Sequence, residues 1–87
     1  MRDLITISFG KVLRRLRQER GYSQELLGAR SKLQRKHISA LELGDKQPSI
    51  LTIFRLADAL DISPGKLIAM VDATCRGSEV EEDSADG

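Results

Sequence analysis

The chain has 87 residues, of which 40% are hydrophobic and 3% aromatic, enough for one small core and too few for two domains. Its single cysteine excludes an intramolecular disulfide; no run approaches the roughly 18 apolar residues of a membrane span and MRDLITISFG lacks a signal-peptide stretch, so the expected address is the cytoplasm. The net charge of +1 conceals a division: residues 1–77 hold all 14 Lys and Arg against eight acids, a local balance of +6, whereas Glu79, Glu81, Glu82, Asp83 and Asp86 lie beyond Gly77 without a base, so a basic body suited to a polyanion carries an acidic tail.

Residues 1–7 read as a lead-in whose Leu4, Ile5 and Ile7 pack on the domain or on a partner. Thr6 or Ser8 is the expected cap of a first helix. Its Phe9, Val12, Leu13 and Leu16 recur at i, i+3, i+4 and i+7, with Lys11, Arg14, Arg15 and Gln18 facing away. Gly21 ends it. A second helix, about 24–30, takes Ser23 as N-cap. Gly28 inside it costs about 1 kcal/mol of helix propensity and implies close approach of the next helix. Ser31, Lys32 and Leu33 form a tight turn. A third helix runs from about Gln34 to Leu43 and stops at Gly44. Leu26, Leu27, Leu33, Ile38 and Leu41 supply the buried face of this pair.

Ser49 caps a fourth helix with Ile50, Ile53, Phe54, Leu56, Ala57 and Leu60 on its core side. Ser63-Pro64 is a helix start, a capping hydroxyl followed by proline at the first position. Leu67, Ile68 and Val71 form the apolar side of this fifth helix. From Thr74 the pattern dissolves, so residues 1–73 read as the domain and 74–87 as an acidic, disordered tail. Cys75 then reads as an incidental surface thiol. Strand-like alternation is missing, and the expected fold is all-α, a compact five-helix bundle.

The third helix, braced by the second, has the shape that enters a DNA major groove. Gln24, at the start of helix two, can grip a phosphate with its amide and the free backbone N–H groups beside it. Arginine pairs with guanine and glutamine with adenine, so Gln34, Arg35 and Lys36 are candidates to meet base edges. Ala40 can touch a thymine methyl, and Ser39 a base or a phosphate. Lys46 is placed for the backbone of the same half-site. His37 has no partner at ligand spacing, hence no metal; it takes a phosphate or a plain surface role. The plain alternative throughout is a solvated polar face. No catalytic set, phosphate loop or cofactor motif is present, so neither catalysis nor a cofactor is expected. Ile62, Leu67, Ile68, Met70 and Val71 either close the monomer core or form a homodimer contact. The dimer is preferred because one recognition helix reads too few base pairs. It implies a near-palindromic site with half-sites about 10 bp, or a multiple, apart.

SQELLG, HISALELG and QPSILTIFRLADALDISPGKLI together make the stretch Phe9 to Ile68 resemble the lambda-repressor-like helix-turn-helix domain of the Cro/CI and Xre type. The resemblance rests on Ser23-Gln24, Ile38-Ser39, Glu42, Gly44, Pro48-Ser49 and Leu-Ala-x-Ala-Leu. Its small members include phage repressors, restriction–modification controller proteins, and plasmid or antitoxin regulators. It implies a sequence-specific DNA-binding transcriptional regulator, with double-stranded DNA as partner. By that likeness Arg35 and Lys36 match base-contacting positions, Gln34 a base or phosphate contact, and Gln24 a phosphate contact. Arg17 and Glu42 match a partly buried ion pair tying helix one to helix three. Two positions depart from the pattern. Lys32 stands where glycine is usual, and strains the turn by about 1 kcal/mol if the left-handed conformation is kept. Leu43 stands where Arg or Asn is frequent, which removes a phosphate contact. The alternative use of the fold is an antitoxin or adaptor-type protein-interaction module, with the acidic tail carrying the protein partner.

Overall fold

The computed structural model describes the backbone of residues 3–86 and the side chains of residues 3–77. Helix α1 spans Leu4–Glu19. Its cap is Asp3, whose carboxylate accepts the Thr6 amide at 2.8 Å; that bond holds the Asp3 carboxyl below its ordinary range. The expected start at Thr6 or Ser8 is therefore corrected: both lie inside the helix and are buried, and residues 4–7 of the expected lead-in form its first turn. Arg20 is its C-cap, followed by Gly21 at φ 69°.

Helix α2 spans Gln24–Ser31, and the Ser23 hydroxyl accepts the Leu26 amide at 3.0 Å. Helix α3 spans Arg35–Leu43, with Gln34 as its extended N-cap residue and Gly44 at φ 76° as its C-cap. The turn between them rests on Gly28. A Cβ there would lie 2.6 Å from the Leu33 carbonyl oxygen, and that carbonyl's own residue donates its amide to Gly28 O at 2.8 Å. Lys32 adopts φ 62°, ψ 37°, the left-handed region that costs a side-chain-bearing residue about 1 kcal/mol.

Helix α4 (Ile50–Ala59) is capped by Ser49, which accepts the Thr52 amide at 3.1 Å. Helix α5 (Pro64–Asp86) opens on proline, with Ser63 accepting the Lys66 amide at 3.0 Å. The helix does not stop at Thr74. The backbone stays helical to Asp86, and Cys75 is buried, its sulfur 3.8 Å from the Leu4 carbonyl oxygen. Cys75 is thus a small core residue continuing the Leu67–Val71 stripe, not a surface thiol. The side chains of Glu79, Glu81, Glu82, Asp83 and Asp86 lie outside the described residues.

α1 packs on α3 and α5, α2 on α3 and α4, and α4 on α5. Phe9, Val12, Leu13 and Leu16 form the centre, met by Leu27, Ile38 and Leu41 from the helix pair and by Leu56, Ala57 and Leu60 from α4. Three apolar expectations change. Leu26 on α2 is exposed rather than core, as are Ile50 and Phe54, the latter two because α4 turns Ile53, Leu56, Ala57 and Leu60 inward. Among the described residues, no helix is long and apolar enough to cross a membrane.

Candidate nucleic-acid interface

α3 is held from behind. Ile38 and Leu41 are fully buried, and Gly10 of α1 lets the two helices meet: a Cβ at Gly10 would lie 2.5 Å from the Leu41 carbonyl oxygen and 2.6 Å from that of Glu42. Arg17 adds a polar tie. Its Nε donates to Glu42 Oε2 at 2.6 Å, its Nη2 to Oε1 at 3.1 Å, and its Nη1 to the Tyr22 carbonyl at 2.8 Å. The Glu42 hydrogen bond lifts the Arg17 guanidinium above its ordinary pKa. The expected ion pair is present.

The opposite side of α3 is open. Gln34, Arg35 and Lys36 are exposed, while His37, Ser39 and Ala40 are half-buried. Gln34 makes no side-chain cap, so its amide stands exposed beside Arg35 and Lys36. Behind them lies a hollow of about 420 Å³ between the turn, α3 and the following loop, bordered by Lys32, Lys36, His37, Ala40 and Lys46. Burial, and secondarily the Lys46 charge, lower the His37 pKa below its ordinary value, which favours the neutral imidazole. The cations of this hollow are the lysines.

Gln24, expected to grip a phosphate, also has partners within the protein. Its Nε2 donates to Glu42 Oε1 at 3.1 Å, and its Oε1 accepts from Arg35 Nη1 at 3.4 Å. One amide N–H remains to face outward. The links from Gln24 to Glu42 and Arg35 were not foreseen, because residues 18 and 11 apart meet only once the helices cross. The basic group of Arg30, Lys32 and Arg55, with Asp58 beside it, was also missed; the one signal was a lysine in a turn that favours glycine.

The expected dimer residues separate. Leu67 and Val71 belong to the core, and Ile62 and Met70 pack half-buried against it; they close the monomer. Only Ile68 is exposed. Three exposed apolar side chains also lie together on α4, where Ile50, Leu51 and Phe54 are 73%, 58% and 56% exposed. Among the described residues, no group of three His, Cys, Asp or Glu side chains could hold a metal ion.

Residues 13–67 match the family model described as helix-turn-helix. A curated relative, an uncharacterized HTH-type transcriptional regulator, y4dJ, from Sinorhizobium fredii (strain NBRC 101917 / NGR234), is 37% identical over 78 residues, covering 90% of this chain and 96% of that protein. The restriction-modification controller protein C.AhdI from Aeromonas hydrophila is similar at 42% identity and a TM-score of 0.70, over 71% of this chain and 94% of that one. The controller protein C.Esp1396I, solved as a tetramer in complex with its natural 35 base-pair operator, shares the fold at 23% identity and a TM-score of 0.77, over 84% of this chain and 96% of that one.

Proposed function

We propose, from the premise that this chain belongs to the Xre-type helix-turn-helix family and is a DNA-binding transcriptional regulator rather than an enzyme, that it reads a near-palindromic operator as a homodimer with α3 in the major groove. The observation that carries the reading is the two-sidedness of α3: Ile38 and Leu41 are locked against α1 and α2, while Gln34, Arg35 and Lys36 stand exposed at its N-terminal end. Arg35 is the guanine-reading residue, its guanidinium steadied by Gln24. Lys36 and Gln34 reach neighbouring bases or phosphates. Ala40 and Ser39 follow one turn on. The backbone N–H groups at the start of α2, with the remaining Gln24 N–H, take a phosphate on one flank. Lys46, with the neutral His37 as a donor, takes one on the other.

The dimer contact in this reading is the exposed face of α4. Ile50, Leu51 and Phe54 form one patch too apolar to leave wet. α4 follows α3 across the 44–49 connection, so a two-fold axis at α4 sets the spacing of two α3 helices. C.Esp1396I sits on its operator as a tetramer, which is consistent with a dimer as the smaller unit.

Selection of bound fragments from random duplex DNA tests both parts. The expected yield is an inverted repeat with half-sites about 10 bp, or a multiple, apart. Sedimentation of the Leu51→Glu/Phe54→Glu double variant should show a folded monomer that binds the selected duplex at least about tenfold more weakly, since two half-sites no longer act together. A variant that stays dimeric would remove α4 from the interface, and fragments without any repeated half-site would remove the dimeric reading.

A further inference from the structure

Lys32 is held in a conformation that its own side chain disfavours. Its φ of 62° lies in the left-handed region, where glycine alone is unstrained. The turn does not need lysine for its bonds: the amides of Lys32 and Leu33 both close onto the Gly28 carbonyl through the backbone. The side chain is exposed and makes no hydrogen bond or ion pair among the described residues. A strained residue whose side chain has no use within the fold points to a use outside it.

Its surroundings say what that use is. Lys32 borders two hollows at once. One is the α3 hollow, with Lys36 and Lys46. The other is a smaller one of about 150 Å³ shared with Arg30, Arg55 and Asp58. Arg30 is itself braced, its guanidinium carbon 5.0 Å from the Tyr22 ring centre. Lys32 therefore joins two basic groups into one track, Lys46 and Lys36 on one side, Arg30 and Arg55 on the other. Asp58 is the acid that borders the smaller hollow. Each strand of a duplex presents a row of phosphates, one negative charge per roughly 3.4 Å of axis, opposite in charge to such a track.

We infer that Lys32 is a DNA-backbone contact, and that it carries the protein's grip from the flank of the α3 groove outward to phosphates met by Arg30 and Arg55. The inference rests on the DNA-reading role of α3 and assigns a contact to a residue that role does not require. The turn trades conformational ease for a phosphate ligand.

The two effects have opposite signs in one variant. In Lys32→Gly, the thermal midpoint should rise by about 4–8 °C as the strain is relieved. Affinity for the duplex selected by the unaltered protein should fall by about three- to tenfold near 0.1 M salt, and the slope of log K against log salt should flatten by about one unit. Preference among single-base variants should not change, because a phosphate contact carries no base information. Lys32→Arg should keep affinity and slope. The inference is overturned if Lys32→Gly binds with unchanged affinity and slope, or if it loses stability together with binding. If the unaltered protein binds no duplex in a salt-dependent way, the α3 reading itself fails, an outcome seen before any variant is made.

Discussion

Replacing Glu42 by alanine is expected to destabilise the domain by about 3–5 kcal/mol, the cost of stranding a partly buried charge. The Glu42 side chain is 4% exposed and that of Arg17 13%, so solvent is a poor substitute for the carboxylate around the guanidinium. Glu42 accepts from Arg17 twice and from Gln24 once; in the alanine variant only the Tyr22 carbonyl still meets Arg17. A domain of this size has about 5–10 kcal/mol in total, so much of its margin disappears. Removing both charges is milder than removing one: Arg17→Met/Glu42→Leu should be more stable than Glu42→Ala. Urea titration of the three proteins decides. A loss under about 1 kcal/mol for Glu42→Ala would mean that the pair behaves like an exposed surface bridge.

Gly10→Ala should be comparably damaging, by about 3 kcal/mol or more, although alanine is the better helix former by about 1 kcal/mol. The new methyl would stand 2.5 Å and 2.6 Å from two backbone carbonyl oxygens of α3. Backbone cannot rotate away as a side chain can, so α3 must move as a body, and Glu42 with it. Gly65→Ala is the control. Gly65 also lies in a helix, but nothing stands within 4 Å of its added Cβ, so its melting point should hold or rise slightly. If the Gly10 variant melts with the Gly65 variant, the close α1–α3 crossing is not a constraint on the fold.

Gly10 also shows where sequence reasoning stops. In the chain it is one weak helix residue; that it is a contact depends on which helix crosses there. The five helices themselves were legible, because each carries its own stripe and most carry their own cap. Ser23, Ser49 and Ser63 cap as their spacing predicts. The start of α1 was not legible, since Asp3, Thr6 and Ser8 can all cap and only packing of the first turn selects among them. The sidedness of α4 was ambiguous for a similar reason. Ile50, Ile53, Phe54 and Ala57 make one stripe, Ile53, Leu56, Ala57 and Leu60 another, and the neighbours of α4 choose the second. The burial of Cys75 was not legible, since a lone cysteine reads as a thiol, yet at four residues past Val71 it acts as a small apolar side chain. Of the site, the exposed first turn of α3 and the Arg17–Glu42 tie were readable from local pattern and family likeness. The bonds from Gln24 to Glu42 and Arg35 were not, since they exist only where α2 and α3 cross.

Those bonds place Arg35 at the centre of the account. The decisive measurement is the affinity of the Arg35→Ala protein for the selected duplex and for every single-base-pair variant of it. The account predicts a loss of about 1–3 kcal/mol on the parent duplex, together with a flattened preference at one G·C pair in each half-site and unchanged preferences elsewhere. Equal weakening on all duplexes, with every preference intact, would contradict it and make Arg35 a backbone contact.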